Sequence, residues 1–120
     1  MRTMLSIAAA ALIMSSYAFA QDQTVYEIGN GITGPVLLRE VKPRYTEGAR
    51  QRKVEGIVEL KAVVKKDGSV GTLEVVRSLD SELDEQAKEA AAQWKFKPGT
   101  KDGEPVNVQV NIELAFTLKK

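Results

Sequence analysis

The chain has 120 residues, with 17 Lys and Arg against 16 Asp and Glu, and it contains neither His nor Cys. Without these two residue types it can form no disulfide framework, thiol nucleophile, imidazole base or common zinc or haem ligand set. The length limits it to one small domain, the 43% hydrophobic and 28% charged fractions are typical of a globular chain, and a net charge of +1 gives no reason to expect a nucleic acid partner.

Residues 1–20 are predicted to be a secretory signal peptide. Arg2 gives a positive start, residues 5–14 form an apolar run, and Ala18-Phe19-Ala20 has the small-x-small pattern of a cleavage site. We therefore expect cleavage before Gln21 and export to the periplasm. Ten helical residues cover about 15 Å of a hydrocarbon core that is roughly 30 Å thick, but the 18 residues from 3 to 20 would cover about 27 Å and nearly reach. An uncleaved inner-membrane anchor is the alternative.

Residues 21–42 are predicted to be an arm of short extended pieces joined by turns, because closely spaced Gly and Pro residues interrupt two short apolar runs. The domain is predicted to occupy residues 43–120. Near its start, Thr46 is a candidate cap for a short helix over residues 46–52.

A hairpin and a helix follow in the sequence. Apolar residues alternate with other residues from Gly56 to Val64, which predicts a strand, and Asp67-Gly68 predicts a tight turn into a return strand from Val70 to Arg77. Ser81 is a candidate cap for a helix with one apolar stripe, which is formed by Leu83, Ala87, Ala90, Ala91 and Trp94. Pro98 and Gly99 are expected to stop this helix, and residues 101–103 are expected to form a loop.

The last segment has the clearest alternation in the chain. Apolar residues occupy every second position from Val106 to Leu118, which predicts a strand of thirteen residues, roughly 43 Å long. Typical strands have five or six residues. We therefore expect it to extend beyond its neighbours, with part of its length left as an exposed edge or paired with another chain. Pro105 suits the first position of such a strand.

These elements predict a two-layer α+β fold: an antiparallel sheet of three strands, or slightly more, with one main helix packed on a face and a short N-terminal helix. Nine apolar residues of the strands and of the main helix are predicted to be structural: Val58, Leu60, Leu73, Val75, Trp94, Val108, Val110, Ile112 and Phe116.

The sequence does not favour an enzyme. An acidic cluster at residues 80–85 could be imagined as a paired general acid and base, but it is better explained as a solvated helix start. Asp67-Gly68 lacks the further oxygen ligands of a calcium loop, and the Gly-rich arm lacks the strand and helix that flank a phosphate-binding loop. We expect no catalytic residue, metal or cofactor.

Basic residues are concentrated around the start of the domain. They are either a patch for an acidic partner or a membrane headgroup, or one solvated face that nearby Glu residues partly neutralise. Tyr45, two residues after Pro43, is either a packing staple or a contact for a peptide. The sequence leaves both pairs of interpretations open. The basic residues concerned are Lys42, Arg44, Arg50, Arg52 and Lys53.

An ordered set of short motifs resembles the TonB C-terminal domain family over about residues 43–118. The matching residues are Pro43-x-Tyr45 with Ala49, Glu55-Gly56-x-Val58, Asp67-Gly68-x-Val70, Leu83-Asp84-x-x-Ala87, Trp94-x-Phe96-x-Pro98, Gly103-x-Pro105-Val106 and Phe116. This resemblance implies a periplasmic protein-binding domain, in which a short segment of an outer-membrane partner adds as a strand beside the final strand. The family's energy transducers also have an N-terminal anchor and a Pro-rich spacer. Their Gln-Pro-Gln-Tyr-Pro motif is replaced here by Lys42-Pro43-Arg44-Tyr45-Thr46.

We predict from this resemblance an exported module that recognises a partner polypeptide by strand addition, linked to TonB-dependent outer-membrane transport. Two alternatives remain: a membrane-anchored energy transducer, and a homodimer paired through the final strand. The predicted partner-binding residues are an approach surface and the outward face of the final strand, namely Lys42, Pro43, Arg44 and Tyr45 with Asn107, Gln109, Asn111 and Glu113.

Overall fold

The computed structural model describes residues 23–119, so the predicted signal peptide lies outside the described residues. Within this range no helix combines the length and the apolar character that crossing a membrane requires. The elements in chain order are β1 (Val25–Glu27), β2 (Ile32–Thr33), β3 (Val36–Arg39), α1 (Glu47–Gln51), β4 (Gly56–Val64), β5 (Val70–Arg77), α2 (Ser81–Ala91), β6 (Lys95–Lys97), β7 (Thr100–Lys101), β8 (Glu104–Pro105) and β9 (Asn107–Phe116).

The main sheet has four strands in the order β1-β9-β4-β5. Strands β9, β4 and β5 are antiparallel, and α2 packs on one face, so the predicted two-layer α+β fold is confirmed. The sequence did not predict the fourth strand. It comes from the arm, and β1 pairs with β9 in parallel.

The core lies between the sheet and α2. Alternate residues of β4 and β9 point to this face, as the period of two predicted, and the small Ala side chains of α2 let the helix approach closely. Fully or almost fully buried members are Ala49, Val58, Leu60, Ala62, Leu83, Ala87, Ala90, Ala91, Trp94, Ile112, Leu114 and Phe116.

Helix α2 begins and ends differently from the prediction. Its cap is Asp80, whose side chain accepts hydrogen bonds from the backbone N–H groups of Glu82 and Leu83, so Ser81 is the first helical residue. The helix ends at Ala91, well before Pro98. The following residues turn away because Phe96 N–H donates to the carbonyl of Gly68 at 2.9 Å, and β6 pairs with β3. Trp94 is therefore in the core but not on the helix.

Strand β9 has ten residues, three fewer than predicted. Phe116 is opposite Gly56, the first residue of β4, so Thr117 and Leu118 have no partner there. At the other end, Val106 N–H donates to the carbonyl of Gly99 instead of joining the ladder. The expectation that this strand extends beyond its neighbours is wrong on the β4 side, where β4 pairs with it from Val108 to Phe116.

Two small ribbons complete the described chain. Strand β3 pairs with β6, and β2 pairs with β7, which forms a hairpin with β8. The predicted loop at residues 101–103 is the tight turn of this hairpin, with Asp102 and Gly103 both at positive φ. Pro105 therefore belongs to β8 and not to the long strand.

Candidate functional site

The candidate site is the outer edge of β9, the side that faces away from β4. On its inner side, β9 pairs with β4 without a break in register from Val108 to Phe116. Such an uninterrupted ladder keeps the hydrogen-bonding pattern of the strand regular. In a strand with one partner, half of the backbone N–H and C=O groups point away from that partner and can pair with another strand.

Strand β1 covers the beginning of this outer edge. Its three residues are opposite Asn107, Val108 and Gln109. Two side-chain contacts hold it there: Asn107 Nδ2 donates to the carbonyl of Thr24 at 3.2 Å, and Lys101 Nζ is 5.1 Å from the centre of the Tyr26 ring. The ten residues of β9 less these three leave seven, Val110–Phe116, whose outer edge pairs with no strand among residues 23–119.

The opposite edge of the main sheet, β5, is less suited to receive a strand. Its pairing with β4 shifts register twice, between Glu59 and Leu60 and between Ala62 and Val64 of β4. Irregular pairing and charged side chains are the devices by which proteins prevent edge-to-edge association, and β5 carries Glu74 and Arg77. The free part of β9 has one charged residue, Glu113, and no such shift.

A groove of about 440 Å³ runs along the free edge of β9 at its C-terminal half. Its second wall is the segment that leads into α1, which we call the wall segment, residues 40–45. The residues that line the groove are Glu40, Lys42, Pro43, Tyr45, Glu113, Leu114, Ala115, Phe116 and Thr117.

Three contacts fix the wall segment against the core. The indole N–H of Trp94 donates to the carbonyl of Val41 at 2.8 Å, and the Tyr45 hydroxyl donates to the carbonyl of Val54. The rings of Tyr45 and Phe116 meet edge to face, with centroids 5.6 Å apart. Because Phe116 ends β9, the last contact ties the wall segment directly to the strand whose edge it flanks.

Tyr45 is held in a partly buried environment. Burial raises the pKa of its hydroxyl, Glu55 raises it further, and Arg50 opposes them. The Arg50 guanidinium carbon is 5.2 Å from the centre of the Tyr45 ring. Tyr45 is thus a packing staple, one of the two roles left open by the sequence, and it also lines the groove.

The structure brings four of the predicted partner-binding residues together and separates the others. Lys42, Pro43, Tyr45 and Glu113 all line the groove. Asn111 is on the same strand and donates to Glu59 Oε2 at 3.2 Å. The three remaining predicted residues are elsewhere: Arg44 lines a depression beside α2, whereas Asn107 and Gln109 are in the part of β9 that β1 covers.

The basic residues around the start of the domain do not form one patch. Arg52 pairs with Asp80 at 2.5 Å and with Glu82 at 3.5 Å, which connects α1 to the start of α2. Arg50 lies over Tyr45, whereas Lys42 lines both the groove and the depression beside α2 that Arg44 also lines. Lys42 and Arg44 are thus neighbours, whereas Arg50 and Arg52 have separate partners.

The acidic cluster at residues 80–85 is engaged in local structure. Asp80 caps α2, and hydrogen bonding with Arg52 lowers the pKa of its carboxyl below the usual value. Asp84 accepts hydrogen bonds from the Leu79 backbone N–H at 3.0 Å and from the Ser78 hydroxyl. No group of three or more Asp and Glu residues in residues 23–119 could hold a metal ion.

Sequence reasoning missed the second wall of the groove at Glu40 and the covering strand β1. The alternation within a strand reports which face is buried, but it carries no information about which segment lies along each edge. A hint was present in the arm, where Val25-Tyr26-Glu27 has the residue types of a strand.

The sequence and fold were compared with known proteins. Residues 41–118 match the family model for the C-terminal region of the Gram-negative bacterial TonB protein. Protein TonB of Vibrio cholerae is 37% identical over 81 residues, which cover 67% of this chain and 33% of that protein. Protein TonB of Pseudomonas aeruginosa is 30% identical over 84 residues, which cover 69% of this chain and 25% of that protein. The chain thus spans a third or less of the length of these relatives.

The fold gives the same result. The solution NMR structure of the Pseudomonas aeruginosa TonB CTD matches this structure with a TM-score of 0.60 at 26% identity, and the match covers 78% of this chain and 94% of that one. Since the family match includes every element from α1 to β9, this chain belongs to the TonB C-terminal domain family.

Proposed function

We propose that the chain is an exported periplasmic module that binds a partner polypeptide by adding one strand of the partner to the free edge of β9. The observation that carries this proposal is the unpaired, regular edge over Val110–Phe116 with the groove beside it. A strand in this position gains backbone hydrogen bonds, which supply the affinity in strand addition. The outer-membrane transport link and a receptor-like partner are proposed from membership of the TonB C-terminal family.

The geometry limits what the added strand can be. At about 3.4 Å per residue, seven residues provide roughly 24 Å of edge, and a partner that pairs further toward the start of β9 would have to displace β1. Side chains of the added strand would alternate between two environments. One set would extend the apolar face beside Tyr45 and Phe116, and the other would extend the polar face beside Asn111 and Glu113.

A titration of the full-length chain with a seven-residue peptide of alternating Val and Thr tests this proposal. We expect amide resonances of Val110–Phe116 to shift, and those of the opposite edge at Val70–Arg77 to stay unchanged. Two control peptides carry backbone N-methyl groups, one at the odd positions and one at the even positions. Because only one set of peptide N–H groups can face β9, one control should lose binding and the other should keep it. Equal binding by both controls would contradict strand addition.

The same edge could pair two copies of this chain, as the sequence also suggested. Sedimentation at the concentrations used for the titration distinguishes the two cases. A monomer that takes up the peptide supports the module. A dimer that the peptide cannot dissociate would support the strand-paired homodimer instead.

A further inference from the structure

The side chain of Glu113 is directly opposite that of Glu59 on β4, on the polar face of the sheet. Directly opposite residues on neighbouring strands have Cβ atoms about 4.5–5.5 Å apart, so two like charges there destabilise the pairing. Lys61, the next residue on this face of β4, pairs with Glu74 at 3.9 Å. Arg77 is opposite Glu59 on β5, and Asn111 donates to its Oε2 atom at 3.2 Å.

Glu113 has no charged partner of its own, although Lys42 lines the same groove. Among residues 23–119 it makes no ion pair and no side-chain hydrogen bond, and it is exposed to solvent. Across the sheet, the charges at this level are positive at Arg77, negative at Glu59 and negative at Glu113. The next position outward in this row belongs to the free edge, where a partner strand would place one of its own side chains.

We infer that Glu113 selects partner strands that carry a Lys or Arg opposite it. This inference rests on the proposed strand addition and specifies its partner. A cation at that position completes the row with alternating signs and offsets the repulsion between the two carboxylates. The residues of β9 that flank Glu113 on the same face are Asn111 and Ala115, and both are uncharged. The preferred partner is therefore an otherwise uncharged strand with one central basic residue.

Charges at sheet edges can also serve only to prevent copies of a protein from associating. If Glu113 served only this purpose, an acidic partner would bind more weakly than a neutral one, but a basic partner would gain nothing over the neutral one. The binding of matched peptides therefore separates the two explanations.

The test uses three seven-residue peptides of alternating Val and Thr whose central Thr is replaced by Lys, Gln or Glu. A peptide that fills the seven free positions places its central residue opposite Glu113. We expect the dissociation constant measured with the full-length chain to rise from the Lys peptide to the Gln peptide and again to the Glu peptide. Each step should amount to up to about fivefold, because cross-strand charge pairs are worth up to about that ratio. High salt should shrink both steps.

Variants of the chain provide the controls. Glu113→Gln should remove the discrimination between the Lys and Glu peptides, and Glu113→Lys should reverse it. Glu89→Gln changes the net charge by the same amount as Glu113→Gln, but on the exposed side of α2, so it should keep the wild-type order. Equal affinity for all three peptides would overturn the role of Glu113 and leave strand addition standing. If no peptide binds at the free edge, strand addition itself fails, and this inference fails with it.

Discussion

Gly68 occupies the turn between β4 and β5 with a φ of 89°, a conformation that residues with a Cβ rarely adopt. A Cβ there would also be 2.1 Å from the carbonyl oxygen of Phe96, far inside contact distance. The Gly68→Ala variant is therefore expected to lose stability from two causes, backbone strain and a clash with a backbone atom. Urea unfolding measures the loss as a difference in the free energy of unfolding.

Gly103 provides the matched control for this variant. Its φ is 82°, but a Cβ there would meet nothing within 4 Å. Gly103→Ala should therefore cost only the strain of the left-handed conformation, about 1–2 kcal/mol. Gly68→Ala should cost clearly more, because β6 must move as well. Equal losses at the two positions would show that the close approach of Gly68 to Phe96 does not affect the free energy of unfolding.

Asp80 gives the stability of the domain a defined pH dependence. Hydrogen bonding with Arg52 lowers the pKa of the Asp80 carboxyl in the folded state, so the folded protein holds the charged form more strongly than the unfolded chain does. The resulting stability is present above the pKa of the unfolded chain. It is lost as the pH falls through the lower pKa of the folded state.

The Asp80→Asn variant tests this dependence, because Asn still caps the helix but cannot form the ion pair. Wild type should be more stable than the variant at neutral pH. The difference should shrink below about pH 4, where the carboxyl of the unfolded chain becomes protonated. Thermal unfolding midpoints of both proteins from pH 7 to pH 2 measure this difference in stability. A constant difference over this range would mean that the ion pair contributes nothing.

At the scale of elements, one of the three contacts that fix the wall segment is a partly buried hydrogen bond. The indole N–H of Trp94 donates to the carbonyl of Val41. In the Trp94→Phe variant this carbonyl loses its donor, which we expect to cost about 1–3 kcal/mol. The wall segment should also loosen, and the amides of residues 40–45 should exchange with solvent faster.

Leu83→Ala is a control for general destabilisation. Leu83 is fully buried in α2, and its truncation should cost about 2–5 kcal/mol. The Leu83 side chain forms no hydrogen bond with the wall segment. The Leu83→Ala variant should therefore not accelerate amide exchange at residues 40–45 more than elsewhere. If both variants change exchange in the same pattern, the wall segment has no separate support from Trp94.

The sequence predicted well those elements whose signals are local. The alternation from Gly56 to Val64, the Asp-Gly turn and the return strand correspond to β4 and β5 within the predicted bounds. It failed where a distant segment decides the conformation. The helix was expected to continue until Pro98 and Gly99 stop it, but residues 95–97 form β6 because β3 and the carbonyl of Gly68 offer backbone partners that local sequence does not reveal.

The candidate site was predictable only in part for the same reason. The outward positions of the final strand follow from its period of two, so Asn111 and Glu113 are read directly from the sequence. Strand β1 covers Asn107 and Gln109 although it lies more than eighty residues earlier in the sequence. The alternation within a strand carries no information about such a distant pairing. The like-charge pair of Glu59 and Glu113 also requires the register, which only the structure supplies.

At the scale of the whole molecule, the proposal of an exported module requires that the first twenty residues be removed. We expect the protein purified from the periplasm of its producing cells to begin at Gln21, because the pattern of residues 18–20 suits cleavage there. Intact mass spectrometry measures the N-terminus. A membrane fraction that contains the chain with Met1 retained would support the anchored energy transducer instead.

The central claim is that the outer edge of β9 receives a partner strand through backbone hydrogen bonds. Scalar couplings transmitted across hydrogen bonds test it most directly, measured by NMR between the amide nitrogens of this chain and the labelled carbonyl carbons of the bound seven-residue peptide. We predict couplings to alternate amides within Val110–Phe116 and none to Val70–Arg77. A saturated complex that shows couplings only at Val70–Arg77, or none to β9, would contradict the account.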